Sequence, residues 1–334
     1  MDGPQPIPEH VDYDLWSGPA PIKPLLRQQF HYDWHWDYTY GNGDLGNQGI
    51  HEMDLCRWAL GSDKLPPRVV SVGGRLGYDD DGNSANTQIA LLGYDPVPIL
   101  FEVRGLPAQA GQGNETMDRY RGVGVGVVVE CEQGYFTGGR GGGTVRDHDG
   151  NVLEEFPGDS GGGHQANFIA AVRSRDVSGL RADVKEGHLS SALCHMANMS
   201  YQLGRSADVD EIAAQLASNT LAADGLSRML DHLSANEIDL SKTPLTLGAE
   251  LNWDDHARQF AKSDQANRLL TREYRSPYQV PKNVRWLHVF GRKHRLSDAR
   301  RLTRPYGGLR EPTDHVPAVS LPSVGSGRRR YQVK

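Results

Sequence analysis

The sequence predicts an α+β protein built on an open, mostly antiparallel β-sheet with helices packed on one face. Three observations predict this class. The 334 residues include 39 glycines, well above average usage, which favours turns and close backbone approaches over a helical bundle. Between residues 68 and 156, short β-branched and aromatic stretches are separated by turn signals such as Asp81-Gly82-Asn83 and Asp149-Gly150-Asn151. From Gly163 the apolar spacing changes to the helical period. Strands followed by helices is the order of an α+β chain.

Residues 1–30 carry Pro4, Pro6, Pro8, Pro19, Pro21 and Pro24, which remove backbone donors and restrict φ, so this segment is expected as an extended strap with Trp16 as its anchor. Residues 31–281 form the expected main domain. Ile50 to Leu60 has amphipathic spacing and is stopped by Gly61. Strands are expected at Arg68–Arg75, Thr87–Tyr94, Pro98–Arg104, Gly122–Glu130, Gly134–Thr137 and Val152–Phe156. The segment HQANFIAAVRSR reads as a helix with Phe168, Ile169 and Val172 inward, followed by VKEGHLSSALCHMANMSYQLG with a similar face. Further helices are expected at Asp208–Leu216 and Ala222–Glu237, with a short one ending at Thr271. Residues 282–334 lack sustained periodicity and are rich in arginine, so they are expected as a basic, disordered tail.

Composition narrows the function. At 37% hydrophobic residues the chain can build a real core. Cys56, Cys131 and Cys194 are widely separated, which argues against a disulfide scaffold or zinc ribbon and for buried free thiols. No apolar run is long enough to span a membrane, and the N-terminus lacks a basic and apolar leader, so a cytoplasmic location is expected. The net charge of −6 contrasts with the basic tail. That tail has no aromatic interleaving or recognised motif, so nucleic acid is not an expected partner.

The stretch HYDWHWDYTYGNGDLGNQGIHEMDLCRWAL, His31 to Leu60, is where chemistry is expected. Trp34, Trp36 and Tyr38 alternate with polar residues, near His35, Asn42, Asp44, Asn47 and Gln48. Aromatic platforms beside amides and carboxylates suit a polyhydroxylated ligand, and core packing is the competing role for the same rings. His51-Glu52 fails the H-E-x-x-H zincin pattern because Leu55 stands where the second histidine belongs. His31, His35, His51, Glu52 and Asp54 have no known ligand spacing, so no metal site is assigned. GVGVGV at residues 122–127 and GGRGGG at 138–143 match neither a dinucleotide loop nor a P-loop. His164 at a helix start is either a cap neighbour or a pocket residue, while His188 and His195 read as structural.

The segment GDLGNQGIHEMDLCRWALG resembles the C-terminal domain of the glucose-fructose oxidoreductase/inositol dehydrogenase/MocA (Gfo/Idh/MocA) family. The strap GPQPIPEHVDYDLWSGPAP, the segments HQANFIAAVRSR and DVKEGHLSSALCHMANMSYQLGR, and the closing ANRLLTREYRSPYQVP extend the resemblance over about residues 3–281. It implies a substrate-binding and oligomerisation domain of an NAD- or NADP-dependent oxidoreductase acting on a sugar or cyclitol. The family's D-x-x-x-H motif falls on Asn47 and His51, which implies an acid/base role for His51 and an amide in place of the usual carboxylate at 47. From the reading of the residues themselves, Trp34, His35, Trp36, Tyr38, Gln48 and His164 are expected at the substrate. The family's nucleotide-binding Rossmann domain and its Glu-Lys-Pro segment have no counterpart in this sequence, so no cofactor-binding residue is assigned. The expected partners are a small polyol, a second copy through the sheet, and a chain bearing a Rossmann domain. The alternative is a non-catalytic carbohydrate-binding or assembly protein.

Overall fold

A computed structural model describes residues 3–113 and 116–280, with the backbone of 331–333. Residues 1–278 and 329–334 make one unit and 279–328 a second; the first holds every described helix and strand. The expected tail falls outside the described residues, apart from a short strand at its end.

Three strands form the centre: β1 (Arg68–Gly74), β2 (Thr87–Leu92) and β3 (Ile99–Arg104). They pair antiparallel, with Val70 opposite Leu91 and Ala90 opposite Phe101. Beyond them come β4 (Val127–Cys131), β5 (Gly134–Gly139), β6 (Gly142–Arg146) and β7 (Val152–Pro157), a meander of hairpins. Of the short strands after β7, β9 (Leu245–Leu247) and β10 (Leu251–Asp254) pair with β1, β8 (Arg205–Ala207) pairs with β9, and β11 (Gln259–Phe260) lies outside β10. β12 (Tyr331–Val333) runs parallel to β3 and antiparallel to β4. The other strand pairs are antiparallel.

The helices are α1 (Tyr13–Ser17), α2 (Gly43–Asn47), α3 (Gly49–Leu60), α4 (His164–Ser174), α5 (Val184–Gln202), α6 (Val209–Leu216), α7 (Thr220–Ala235) and α8 (Asp264–Leu269). Val69, Ala90, Leu92, Ile99 and Val103 point to one core, under α3 and α5; Val70, Val72, Ile89, Leu91 and Leu100 point to another, under α6 and α7. This strict alternation explains why the three strands read as nearly continuous apolar runs, the pattern of strands buried on both faces. The fold is α+β with an open, largely antiparallel sheet, and its helices occupy both faces of the central strands instead of one.

Three local expectations change. Phe168, Ile169 and Val172 are exposed, at 53%, 44% and 42%, and α4 has no buried residue, so its apolar stripe is not turned inward. The strand expected from Gly122 begins at Val127, because Gly122 takes a φ of 80° in the turn before it. The strap holds the short helix α1, capped by the Asp12 carboxylate accepting from the Leu15 amide at 3.0 Å. Trp16 anchors it, lying 5.5 Å from Tyr13 (centroid to centroid), 4.8 Å from Phe30 and 4.7 Å from Tyr40.

Gly49, at the start of α3, sets how closely this helix approaches the sheet. A Cβ there would sit 2.9 Å from the ring of Phe101 on β3. Gly49→Ala is expected to lower the unfolding free energy by about 1–3 kcal/mol, the usual cost of overpacking, as read from a denaturant midpoint at unchanged m.

Candidate functional site

The segment from His31 to Leu60 folds as a plug that continues into two helices. Gly43 takes a φ of 64° and a Cβ on it would sit 2.7 Å from the Ser84 hydroxyl, so only glycine turns the chain here. In the plug His35 is buried, Trp36 and Tyr38 are half-buried, and Tyr32 and Trp34 are exposed. His35 is 2% exposed: its Nδ1–H donates to the Tyr32 carbonyl at 2.6 Å, and its Nε2 stands 3.4 Å from an Asp44 carboxylate oxygen. The indole of Trp36 donates to Asp44 at 3.3 Å and lies 3.9 Å from the His35 ring, centroid to centroid. Arg27 and Arg75 stand 5.8 and 5.6 Å from the centroid of that indole. Tyr38 donates its hydroxyl to Asn198 of α5 at 3.0 Å, and burial raises its pKa. His35, Trp36 and Tyr38 therefore serve as internal supports, whereas Trp34 is 36% exposed.

Behind this plug, Arg75 donates twice to Asp80, at 2.6 and 2.5 Å, and Arg27 reaches the same carboxylate at 3.0 Å. Desolvation would raise the Asp80 pKa, but the bonds from Arg75, the Gly82 amide and Arg27 outweigh it and hold the carboxyl below its usual range.

Asn47, Gln48 and His51 are exposed where the segment passes from α2 into α3. Gln48 has α-helical φ and ψ, its amide donates to Asp44 at 3.2 Å, and the His51 amide donates to Gln48 at 3.1 Å. α2 and α3 are thus one nearly continuous helical path. Asn47 and His51, four residues apart on it, share a face. Gln48 donates to Glu52 at 3.2 and 3.3 Å. Glu52 is buried and its charge acts on Cys56 and Cys194, whose thiols are pushed up to about 12, first by burial and then by this carboxylate. Both are free and buried, as their spacing predicts.

Arg57 fixes α3 against α5. It is 3% exposed. It donates to Ser190 at 3.0 Å, to the Ser62 carbonyl at 2.9 Å and to Glu186 at 2.5 Å, and Asp54 lies 3.5 Å away. The Ser190 hydroxyl completes the group by donating to Asp54. Gly61, at φ 63°, closes α3 in the left-handed conformation, with the Ser62 amide donating to the Arg57 carbonyl at 3.2 Å and the Gly61 amide to that of Trp58 at 3.0 Å.

A cavity of about 630 Å³ opens between the strap, the plug and α5; its lining includes Trp16, Lys23, Trp34, Tyr40, His195 and Arg272. Desolvation, then the charges of Arg272 and His188, lower the pKa of His195. Residues 2–104, of the 334 in the chain, match the family model described as the oxidoreductase family, C-terminal alpha/beta domain, of Gfo/Idh/MocA type. No curated protein matches. Among solved structures, a proposed dehydrogenase from Bordetella bronchiseptica RB50 is 16% identical with a TM-score of 0.36, covering 49% of this chain and 54% of that one. An oxidoreductase from Bacillus cereus is 16% identical with a TM-score of 0.31, covering 46% and 48%. The WlbA dehydrogenase from Bordetella pertussis, in complex with NADH and UDP-GlcNAcA, is 18% identical with a TM-score of 0.28, covering 52% and 49%. The chain spans about half the length of these structures.

The Gfo/Idh/MocA segment supplies most of the plug and all of α2 and α3, while His195 and Arg272 come from later in the chain. His195 is a cavity residue, contrary to its reading as structural; its heptad spacing from His188 shows a shared helix face and says nothing of what that face meets. Arg272 comes after α8 in an irregular segment with no periodicity to mark it. His164 is exposed at the first position of α4 and does not line the cavity. The glycine runs serve turns: GGRGGG forms the β5–β6 hairpin and GVGVGV precedes β4. Neither run opens a helix, as a dinucleotide-binding loop does. Among the described residues no cluster of three or more His, Cys, Asp and Glu side chains could hold a metal ion, and no helix is long and apolar enough to cross a membrane.

The lowered Asp80 pKa gives a pH dependence with a definite sign. The carboxylate contributes stability fully above its unfolded value of 3.8 and loses it as pH falls through the lower folded value. Asp80→Asn is expected to cost about 3 kcal/mol at pH 7 and to flatten the acid limb of thermal stability below pH 4, as followed by circular dichroism.

Proposed function

We propose that this chain is the substrate-binding and oligomerisation domain of a sugar or cyclitol oxidoreductase, with NAD or NADP held by a Rossmann domain outside the described residues. The observation that carries the proposal is the exposed Asn47–His51 face, set on a helix whose other side is locked to the sheet and to α5. An imidazole on a rigid helix suits taking the proton of a substrate hydroxyl near neutral pH, and the Asn47 and Gln48 amides suit orienting neighbouring hydroxyls. Asn47 orients and does not accept a proton, so His51 is the single base of the face. Trp34, in the lining of the strap cavity, offers a separate aromatic surface on which the apolar side of a sugar ring can stack.

A second reading, a carbohydrate-binding or assembly protein without catalysis, is favoured by the amide at position 47 where the family motif has a carboxylate. Both readings include self-association. Phe168, Ile169 and Val172 on α4 and Val152, Leu153 and Phe156 on β7 are all exposed, apolar side chains of the kind that a second copy would cover.

Titration of the chain by calorimetry with a panel of sugars and cyclitols, and separately with NAD and NADP, tests the assignment. Binding of a polyol is expected, weakened about tenfold in His51→Ala through loss of a ligand hydrogen bond, with no binding of either dinucleotide. Dinucleotide binding by this chain would contradict the separate cofactor domain, and absence of any polyol binding would contradict the first reading and the carbohydrate-binding form of the second. Phe168→Glu combined with Leu153→Glu is expected to shift sedimentation toward the monomer; an unchanged distribution would remove this surface as the interface.

A further inference from the structure

We propose that the cavity between the strap and α5 binds a polyhydroxylated ligand bearing a negative charge, a sugar acid or a sugar phosphate, selected by Arg272 and Lys23. This deepens the function proposed above and rests on it only for the polyol class of the ligand. The cavity, about 630 Å³, lies in the range of small-molecule sites. Its aromatic wall is Trp16, Trp34 and Tyr40. Trp16 and Tyr40 are packed on each other at 4.7 Å with their rings tilted by 58°, which holds this wall in place, and a single exposed ring such as that of Trp34 is a surface on which a sugar can stack.

The cations are what distinguish this cavity from a neutral sugar site. Lys23 donates to the Thr39 hydroxyl at 2.8 Å, which leaves ammonium protons for a ligand. Neither Lys23 nor Arg272 forms an ion pair among the described residues. Arg275, three positions further on, shows the contrast: it donates to the Asp14 carboxylate at 2.7 Å, the Asp14 carbonyl at 2.6 Å and the Ala20 carbonyl at 3.1 Å, and lies 4.9 Å from the Tyr278 ring centroid. Arg275 is thus spent on holding the strap, while Arg272 meets the cavity with its guanidinium uncommitted. Glu273 also lines the cavity. The Arg272 charge also acts on His195, a residue of the same lining. A planar guanidinium with paired N–H groups is suited to a carboxylate or phosphate.

The test titrates the full chain by calorimetry with glucuronate, glucose 6-phosphate, glucose and inorganic phosphate. One or both charged sugars are expected to bind at least tenfold tighter than glucose and tighter than inorganic phosphate, by an advantage that shrinks with added salt. Which of the two binds tells a carboxylate ligand from a phosphate. Arg272→Gln is expected to abolish the advantage and Lys23→Gln to reduce it, while Trp34→Ala weakens every sugar. Both cations are exposed, and circular dichroism confirms that the variants fold. Equal affinity for glucose and the charged sugars, an advantage that survives Arg272→Gln, or inorganic phosphate binding as tightly as the sugar phosphate would each overturn the inference while leaving the polyol reading in place. Binding of no sugar at all would overturn both.

Discussion

Arg57 is the residue on which the arrangement of this molecule depends. It sits almost fully buried between α3 and α5 and is met there by Glu186, Asp54, Ser190 and the carbonyl of Ser62 just past the helix. A buried guanidinium is costly unless its hydrogen bonds are satisfied, and replacement by apolar residues would often serve stability as well. What this network supplies is register. The donors of Arg57 can be met in one setting of α3 along α5, and that setting fixes which residues of α3 face outward. Asn47, Gln48 and His51 owe their shared exposure to this lock on one side and to the close approach of Gly49 to Phe101 on the other.

The same lock joins parts of the chain that are far apart. Asn198, on the α5 helix that Arg57 clamps, receives the Tyr38 hydroxyl and donates to the Asn42 carbonyl at 2.8 Å. The Ser200 hydroxyl accepts from the Ser71 amide at 3.0 Å and donates to the Ala249 carbonyl at 2.7 Å, tying the end of α5 to β1 and to the segment before β10. α5 thus acts as a spine: the plug hangs from its last turns, α3 from its first half, and the strap cavity opens beside His195. α4 has no such attachment in the core, and its apolar side chains are left at the surface.

Much of this fold was legible in the sequence because the signals were local. The hairpin turns, the period change after Gly163 and the Gly61 stop each depend on a few neighbouring residues. The two-sided burial of β1–β3 was harder to read, because an apolar run such as Ile89–Leu92 looks the same whether one layer or two covers it. The α4 stripe misled for the opposite reason: Phe168, Ile169 and Val172 have helical spacing, but nothing in their spacing says whether another element lies opposite. Within the site, Asn47 and His51 were paired only through the family resemblance, because the expected helix began at Ile50 and nothing in the spacing marks the helical path through Gln48 that joins them. The burial of His35 and half-burial of Trp36 and Tyr38 were not legible, since they depend on Gly43 against Ser84 and on contacts with Arg27, Arg75 and Asn198, remote in sequence. Arg272 and His195 meet the strap only through tertiary packing.

Native-state hydrogen exchange, measured residue by residue, tests the central claim, that α3 is locked to α5 and so presents His51 from a fixed surface. The amides from Glu52 to Leu60 are expected to exchange with the slowest class, together with the core of α5 and with β1 and β2, while those of α4 exchange orders of magnitude faster through local opening. If the α3 amides instead exchange as quickly as those of α4, the helix is not held by the Arg57 network, and the fixed Asn47–His51 face is contradicted.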